Sequence, residues 1–266
     1  MADAAAIDAA LIILHGPFGE DGTIQGMLDL LDIPYQGSGV LGSAVAMDKV
    51  VSKKLYEKAG IPVPPYEVLK QQDALEPAQL LDRLALPMVI KPASGGSSIG
   101  MSIITDEHSL PAALKMAFDE DEVVIAEAYL KGIELTGGVL GNDDLQALPL
   151  IEIIPDKAFI FFDYKAKYTP GATEEICPAR VDPGLAEKAQ SYALAAHQAL
   201  CCRGYSRTDM IAVARDIFVL ETNTIPGMTA TSLYPQAAAA AGIPFGPLLD
   251  RLIELALADH QRRKHT

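Results

Sequence analysis

The sequence is poor in positive charge and in cysteine, and it contains no long apolar segment. Among its 266 residues, 35 are acidic and 21 are basic, giving a formal net charge of −14. This sign is wrong for a protein that neutralises nucleic-acid phosphates, so we expect no nucleic-acid partner. No apolar run approaches the length that spans a bilayer, and the first apolar run follows acidic rather than basic residues. We therefore expect neither a membrane segment nor a signal peptide.

Cysteine usage points to a reducing compartment. Cys177, Cys201 and Cys202 are odd in number and lack metal-site spacing, and the adjacent pair cannot easily form a disulfide without strain. The simplest expectation is a cytoplasmic protein. Half of the residues are apolar and 21% are charged, which is ordinary for a globular protein with one large or two to three small domains.

Local patterns predict alternating strands and helices, without internal repeats. Residues 10–14 predict a strand, HGPFGEDG a loop, and residues 23–33 a helix with apolar side chains at helical spacing. The next helix should stop at Gly60, before the Pro-rich PVPPYEVL. Because the composition changes near Asp48, we expect a small α/β domain at 1–48, a central α+β domain at 49–130 and a C-terminal α+β domain at 131–266.

Polar residues occupy two otherwise apolar strands in TDMIAVARDIFVLETN. The segment predicts a hairpin, and strand alternation can bring Asp209, Glu221 and Asn223 to one face. Hard oxygen ligands of this kind suit Mg²⁺, which usually binds beside substrate phosphates. The alternative is a solvated sheet face with incidental charges.

A lysine and a glycine-rich loop form a candidate phosphate site. In KPASGGSSIGM, Lys91 ends a predicted strand, and the following Gly and Ser residues could donate backbone N–H groups to phosphates. The loop lacks the Gly-Lys-Ser/Thr of a Walker A motif, and by itself it is equally typical of a flexible hairpin turn. A second lysine, Lys49, and the downstream metal ligands favour the phosphate interpretation.

Two further segments have functional and structural interpretations. In VVIAEAYLKGIEL, the strand edge beside Leu130 could take an adenine, and Glu127 or Glu134 could bind ribose hydroxyls, although solvated loop charges would explain both acids. The aromatic and Lys-rich FFDYKAKYTPGATEEICP is typical of a mobile loop over a site. Lys167 and Tyr168 are its strongest candidates for a functional role. The alternative is a strand with an exposed basic flank.

Taken in order, these segments resemble the D-alanine:D-alanine ligase family of the ATP-grasp superfamily. HGPFGEDGTIQGML matches one family signature and GYSRTDMIAVARDIFVLETNTIPGMTATSL another, with GSGVLGSAVAMDK and DYKAKY in the expected intervals. The likeness extends from His15 to the last helix. It implies an α/β and α+β chain with the ATP-grasp fold, built from a truncated N-terminal α/β domain, a small central α+β domain and a C-terminal α+β domain.

The resemblance implies a role for each matched residue. ATP would be held through its phosphates and adenosine by Lys49, Lys91, Ser98, Glu127, Tyr129, Leu130, Glu134 and Lys167. Two Mg²⁺ ions, or Mn²⁺ in their place, would lie on Asp209, Glu221 and Asn223. Arg207 and the backbone of Gly227 would stabilise an oxyanion. The other implied contacts are His15 at the first substrate, Ser232 and Leu233 at the second, and Tyr168 toward Ser97 in a lid at 163–170.

The implied reaction joins two D-alanines through an acyl phosphate, for peptidoglycan synthesis. The resemblance also implies a homodimer. Members that carry Lys-Tyr at the lid position make dipeptides, which favours D-alanine over D-lactate as the second substrate. The resemblance also leads us to expect, ahead of His15, a strand and a helix with a glutamate for the first substrate's ammonium; the sequence shows no such match. Asp3, Asp8 or another chain could supply the carboxylate, and we expect ATP binding to survive better than D-alanine binding.

Two rival functions follow from this departure. One is an ATP-grasp ligase for another amino acid or a small peptide, since the first-substrate pocket differs from the family pattern. The other is an ATP-binding protein that has lost ligase activity. Smaller departures are Ala93-Ser94-Gly95, where charged residues are usual, and Thr208 and Thr222, where aliphatic residues are usual.

Overall fold

The computed structural model describes residues 7–73, 77–96, 99–155 and 173–264. These residues form an N-terminal helical layer and two antiparallel sheets. The helices are α1 (Thr23–Leu30), α2 (Val40–Met47), α3 (Lys49–Lys58), α4 (Pro77–Arg83), α5 (Leu110–Phe118), α6 (Pro183–Ala199), α7 (Leu233–Ala240) and α8 (Phe245–Lys264). The strands are β1 (Tyr66–Lys70), β2 (Met88–Pro92), β3 (Ser102–Ile104), β4 (Val123–Ala128), β5 (Ile133–Gly141), β6 (Gln146–Ala147), β7 (Ile151–Pro155), β8 (Thr173–Ile176), β9 (Gly204–Val213) and β10 (Asp216–Asn223).

The described strands divide into a smaller and a larger sheet. The smaller has the order β1-β4-β2-β3 and packs its apolar face against α4 and α5. The larger has the order β10-β9-β5-β7-β8, with β6 paired to β5. The chain passes from the smaller sheet to the larger between Ala128 and Ile133, close to the predicted boundary at 130. None of the described helices is long and apolar enough to cross a membrane.

The core of the larger sheet also includes residues from α3. Tyr56 and Ile61 are buried together with Leu135 of β5 and Met210 of β9. Helix α3 therefore packs on the larger sheet, although the division made from sequence assigns Tyr56 to the central domain. The three domain ranges stay a prediction.

The prediction of a regular strand at residues 10–14 is wrong. Only one parallel bridge forms there, between Ala10 and Tyr35. The side chain of Gln36 replaces a neighbouring strand at Ile12: its Oε1 accepts a 2.7 Å hydrogen bond from the Ile12 N–H, and its Nε2 donates to the Ile12 carbonyl at 2.6 Å. A side-chain amide thus satisfies the backbone that a strand ladder would otherwise pair.

The helix predicted before Gly60 is divided in two at Asp48. Asp48 has an extended backbone, and its carboxylate accepts hydrogen bonds from the N–H groups of Val50 and Val51. A side-chain cap of this kind begins a new helix, which places Lys49 in its first turn. The predicted end is confirmed: α3 stops at Lys58, and Gly60 has a φ of 74°.

Candidate active site

The polar residues of the predicted metal site meet on the β9–β10 pair. Asp209 is the direct cross-strand neighbour of Glu221, and Arg207 is the neighbour of Asn223. Residues two apart on a strand share a face, so all four side chains lie on the same side of the sheet. The sequence prediction of one shared face is confirmed by this register.

Arg207 and Thr136 hold the Asp209 carboxylate. The guanidinium donates two hydrogen bonds, Nε to Oδ1 at 2.9 Å and Nη2 to Oδ2 at 2.8 Å, and the Thr136 hydroxyl donates to Oδ1 at 2.6 Å. Burial would lower the pKa of Arg207, but Asp209 and Glu221 outweigh it and raise that pKa. Asp209 is therefore held in position opposite Glu221 by hydrogen bonds from the Arg207 guanidinium and the Thr136 hydroxyl.

The donor types fit a hard divalent ion. Two carboxylates and an amide oxygen are ligands that Mg²⁺ accepts, and Mg²⁺ usually keeps waters and substrate oxygens in its other positions. Across the described ranges, no group of three His, Cys, Asp or Glu side chains is placed to hold a metal. A metal here would therefore depend on Asp209 and Glu221, with Asn223 as its third protein ligand.

Both predicted phosphate-binding lysines reach the same region. Lys49 lies at the start of α3, and its Nζ donates a 2.7 Å hydrogen bond to the carbonyl of Gly95 in the glycine-rich loop. Lys91 lies on β2, and its Nζ donates to Glu127 Oε1 at 3.2 Å. Burial lowers the pKa of Lys49, an effect that Glu221 opposes. Glu221 on β10 thus acts electrostatically on Lys49 at the start of α3.

The glycine-rich loop is anchored at its start. Ser94 donates both its backbone N–H, at 2.8 Å, and its hydroxyl to Asp121 Oδ2. Gly95 has a φ of 92°, a conformation that glycine adopts without strain. Ser97 and Ser98, predicted to close over the phosphates, lie outside the described residues, as do Lys167, Tyr168 and the predicted lid at 163–170.

The predicted adenosine residues lie where the chain crosses between the sheets. Glu127 ends the buried part of β4, Tyr129 and Leu130 follow it, and Glu134 is the second residue of β5. The N–H of Tyr129 donates a 3.1 Å hydrogen bond to the carbonyl of Pro87. Glu127 is buried and engages two lysines, so its expected contact with the adenosine would be made from an ion-paired carboxylate.

The predicted substrate residues near α7 are neighbours. A Cβ added at Gly227 would lie 3.0 Å from Ser232 Oγ. Ser232 Oγ accepts a hydrogen bond from the N–H of Thr229 at 3.1 Å, and Ser232 precedes α7. The Leu233 side chain is buried in a core with Tyr205 and Tyr234, so its backbone is the part available to a ligand.

The sequence-based site omitted Glu20, although its motif HGPFGEDG was recognised. Glu20 Oε2 accepts a 2.6 Å hydrogen bond from the Gly16 N–H, next to the predicted site residue His15. Burial raises the pKa of Glu20, and charges on His15, Arg207 and Glu221 also act on it. Charges on the β9–β10 face thus influence this loop. Thr136 and Lys53 were not predicted either, because neither stands out in its local segment. They are identified only by their contacts in the structure, Thr136 with Asp209 and Lys53 with Glu127.

Comparisons with known proteins identify the family. The family model described as "D-ala D-ala ligase C-terminus" matches residues 55–254, and "D-ala D-ala ligase N-terminus" matches residues 1–38. A "D-alanine--D-alanine ligase" of Syntrophobacter fumaroxidans is 65% identical over 258 residues, which are 97% of this chain and 83% of that protein.

Solved structures give the same result. The ATP complex of a D-alanine–D-alanine ligase from Bacillus anthracis is similar with a TM-score of 0.85 and 40% identity, covering 98% of this chain and 82% of that one. The VanG D-Ala:D-Ser ligase from Enterococcus faecalis has a TM-score of 0.84 and 38% identity, covering 94% and 73%. The predicted ATP-grasp fold is confirmed, and the chain belongs to the D-alanine–D-alanine ligase family.

Proposed function

We propose that this protein joins two D-alanine molecules at the expense of ATP, giving D-alanyl-D-alanine, ADP and phosphate, the dipeptide that peptidoglycan synthesis consumes. The observation that carries the proposal is the single face on which Arg207, Asp209, Glu221 and Asn223 meet, where Glu221 also acts electrostatically on Lys49. This arrangement supplies cations for phosphates and hard oxygens for a metal in one place. The relatives' names and the ATP complex of a similar structure support the same assignment.

The first step transfers the γ-phosphoryl group. A carboxylate oxygen of the first D-alanine attacks the γ-phosphorus, the bond to the bridging oxygen breaks, and ADP leaves. Lys49 and Lys91 neutralise phosphate charge, and the backbone of the glycine-rich loop donates hydrogen bonds. Mg²⁺ bound on Asp209, Glu221 and Asn223 would neutralise the charge that develops on the transferring group.

The second step forms the peptide bond. The amine of the second D-alanine, having lost a proton, attacks the acyl-phosphate carbon, and phosphate leaves. Arg207 and the N–H of Gly227 stabilise the oxyanion that forms on the carbonyl oxygen. Ser232 and the backbone of Leu233 hold the second substrate's carboxylate, and His15 lies at the first substrate. Water must be excluded, which is the role proposed for the lid at 163–170 with Tyr168 and Lys167.

Two features of the cellular state belong to the same proposal. A cytoplasmic location agrees with the three free cysteines and with the use of ATP. A homodimer through the N-terminal layer is supported by exposed apolar side chains there, among them Phe18 at 71% and Leu30 at 90% exposure.

ADP release tests the proposed activity. The purified chain is assayed with ATP and Mg²⁺, with and without millimolar D-alanine, beside Asp209→Ala and Glu221→Ala variants. We expect turnover that requires D-alanine and falls by a factor of about 100 or more in each variant, because a metal-binding carboxylate has been removed. ATP binding without D-alanine-dependent turnover would instead support a nucleotide-binding protein that does not ligate.

A second candidate differs only in the acceptor amino acid. The similarity to a D-Ala:D-Ser ligase favours testing D-serine. Mass spectrometry of products from an equimolar mixture of D-alanine and D-serine distinguishes the two, because the dipeptides differ by one oxygen atom. Predominant D-alanyl-D-serine would replace the proposed acceptor.

A further inference from the structure

A buried lysine outside the predicted site contacts Glu127. Lys53 lies one helical turn after Lys49 on α3, and its side chain has no exposed surface. Its Nζ lies 2.5 Å from Glu127 Oε2, whereas Lys91 Nζ lies 3.2 Å from Glu127 Oε1. One carboxylate on β4 therefore holds two ammonium groups, one from α3 and one from β2.

The two lysines differ in their access to a ligand. The Lys91 side chain retains 10% of its exposure, and that of Lys53 retains none. The Lys91 side chain is therefore open to a ligand that approaches from solvent, while Lys53 is closed to it. If Lys91 turns to a phosphate, Glu127 loses one of its two cations but keeps the other.

Fold stability alone is a weak reason for this buried group of charges. Transferring charges from water to a protein interior costs free energy that their attraction often fails to recover, and apolar side chains commonly stabilise such a position equally well. Burial lowers the pKa of Lys53, and Glu127 opposes this effect. Burial would raise the pKa of Glu127, but Lys91 and Lys53 outweigh it and hold that pKa below its usual value. Glu127 thus remains an anion that could retain Lys91.

We propose that Lys53 is a positioning residue for ATP binding: it is the permanent counter-ion of Glu127, so that Lys91 can leave that carboxylate and bind the nucleotide phosphates. This assignment rests on the proposed function, since it presumes an ATP site at Lys91. Without Lys53, the full negative charge of Glu127 would be balanced by Lys91 alone, and ATP would have to compete with Glu127 for the Lys91 ammonium.

The test compares ATP affinities by titration calorimetry in Mg²⁺ without D-alanine. Lys53→Met should weaken ATP binding roughly tenfold, the scale of one charge-assisted hydrogen bond. Lys53→Arg, which keeps the charge, should stay within about threefold of the unmodified chain. In steady-state assays, Lys53→Met should raise the KM for ATP while leaving kcat within about twofold, because the contact acts on nucleotide binding.

A double-mutant comparison separates positioning from general stabilisation. In a chain that carries Glu127→Gln, nothing anionic at position 127 retains Lys91, so adding Lys53→Met should change the ATP affinity by about twofold or less. Lys54→Met is the matched control, because Lys54 is the exposed neighbour on the same helix, and it should have no effect. If Lys53→Met fails to fold, Lys53→Gln provides the same comparison with a smaller change.

Three results would overturn the assignment. An equal loss of ATP affinity with and without Glu127→Gln would mean that Lys53 acts only through the fold. ATP affinity unchanged by Lys53→Met in a chain that otherwise binds ATP would refute the positioning role while leaving the ligase function intact. An unmodified chain that binds no ATP would refute both.

Discussion

The hydroxyl of Tyr56 donates a 2.8 Å hydrogen bond to Thr222 Oγ1, and this contact joins α3 to β10 on the side of the sheet opposite Glu221 and Asn223. Thr222 Oγ1 also lies 2.9 Å from Thr208 Oγ1 on β9. All three side chains are buried. The two threonines, which depart from the aliphatic residues usual in the family, therefore complete a polar network.

Removing one member of this network should be costly, whereas removing all of its polar groups should not. Tyr56→Phe leaves a buried hydroxyl with fewer partners, and we expect it to lower the free energy of unfolding by about 1–2 kcal/mol. Adding Thr208→Val and Thr222→Val should recover most of that loss, because no polar group then remains unpaired. Urea denaturation of the single and triple variants measures both values; a triple variant less stable than the single would contradict this prediction.

The last helix should depend on Asp259. Its buried carboxylate contacts Arg203, Arg262 and Arg263, and the Arg203 guanidinium lies 5.0 Å from the centre of the Tyr35 ring. Asp259→Asn leaves Arg203 buried without its anion, and we expect a loss of about 3 kcal/mol in the free energy of unfolding. Arg262→Gln changes a half-exposed partner and should cost less than about 1 kcal/mol. Equal losses for Asp259→Asn and Arg262→Gln would show that the buried Arg203–Asp259 pair contributes no more to stability than the half-exposed Arg262–Asp259 pair.

Stability should fall in mild acid partly because of His197. This buried side chain lies 2.7 Å from Ser206 Oγ through its Nδ1, and burial lowers its pKa from 6.5 to about 4. Between these values the unfolded chain binds a proton that the folded chain does not, so stability decreases as the pH falls from 6.5 towards 4. At pH 5 the contribution is about 2 kcal/mol.

The variant His197→Gln should remove that part of the pH dependence. Between pH 7 and pH 5 the free energy of unfolding should fall in both proteins. We expect the fall in the variant to be smaller than that in the unmodified chain by about 2 kcal/mol. His108→Gln, at an exposed position, should leave the pH dependence of the unfolding free energy unchanged. Parallel slopes for His197→Gln and the unmodified chain would exclude His197 as the source.

A methyl group at Gly227 should impair catalysis more than folding. The added Cβ would lie 3.0 Å from Ser232 Oγ and would displace a side chain proposed to hold the second substrate. Small displacements of a positioning group can cost up to about a hundredfold in rate, and we expect Gly227→Ala to lower kcat/KM for D-alanine at least about tenfold. Gly246→Ala, where a Cβ meets nothing within 4 Å, should retain full activity. Full activity in Gly227→Ala would show that this loop does not take part in binding the second substrate.

The amino-acid sequence was enough to identify the family, the ATP-grasp fold and the order of most helices and strands. Long signatures such as HGPFGEDGTIQGML carry that information locally, and period-two alternation was enough to predict that Asp209 and Glu221 share a face. It did not determine which charges pair, because a contact such as Lys53 to Glu127 joins residues far apart in the chain. Nor did it reveal that Gln36 takes the place of a strand beside Ile12, or that Asp48 begins a new helix. Those features depend on side chains that meet only after folding, where burial makes each unpaired polar group costly and so selects its partner.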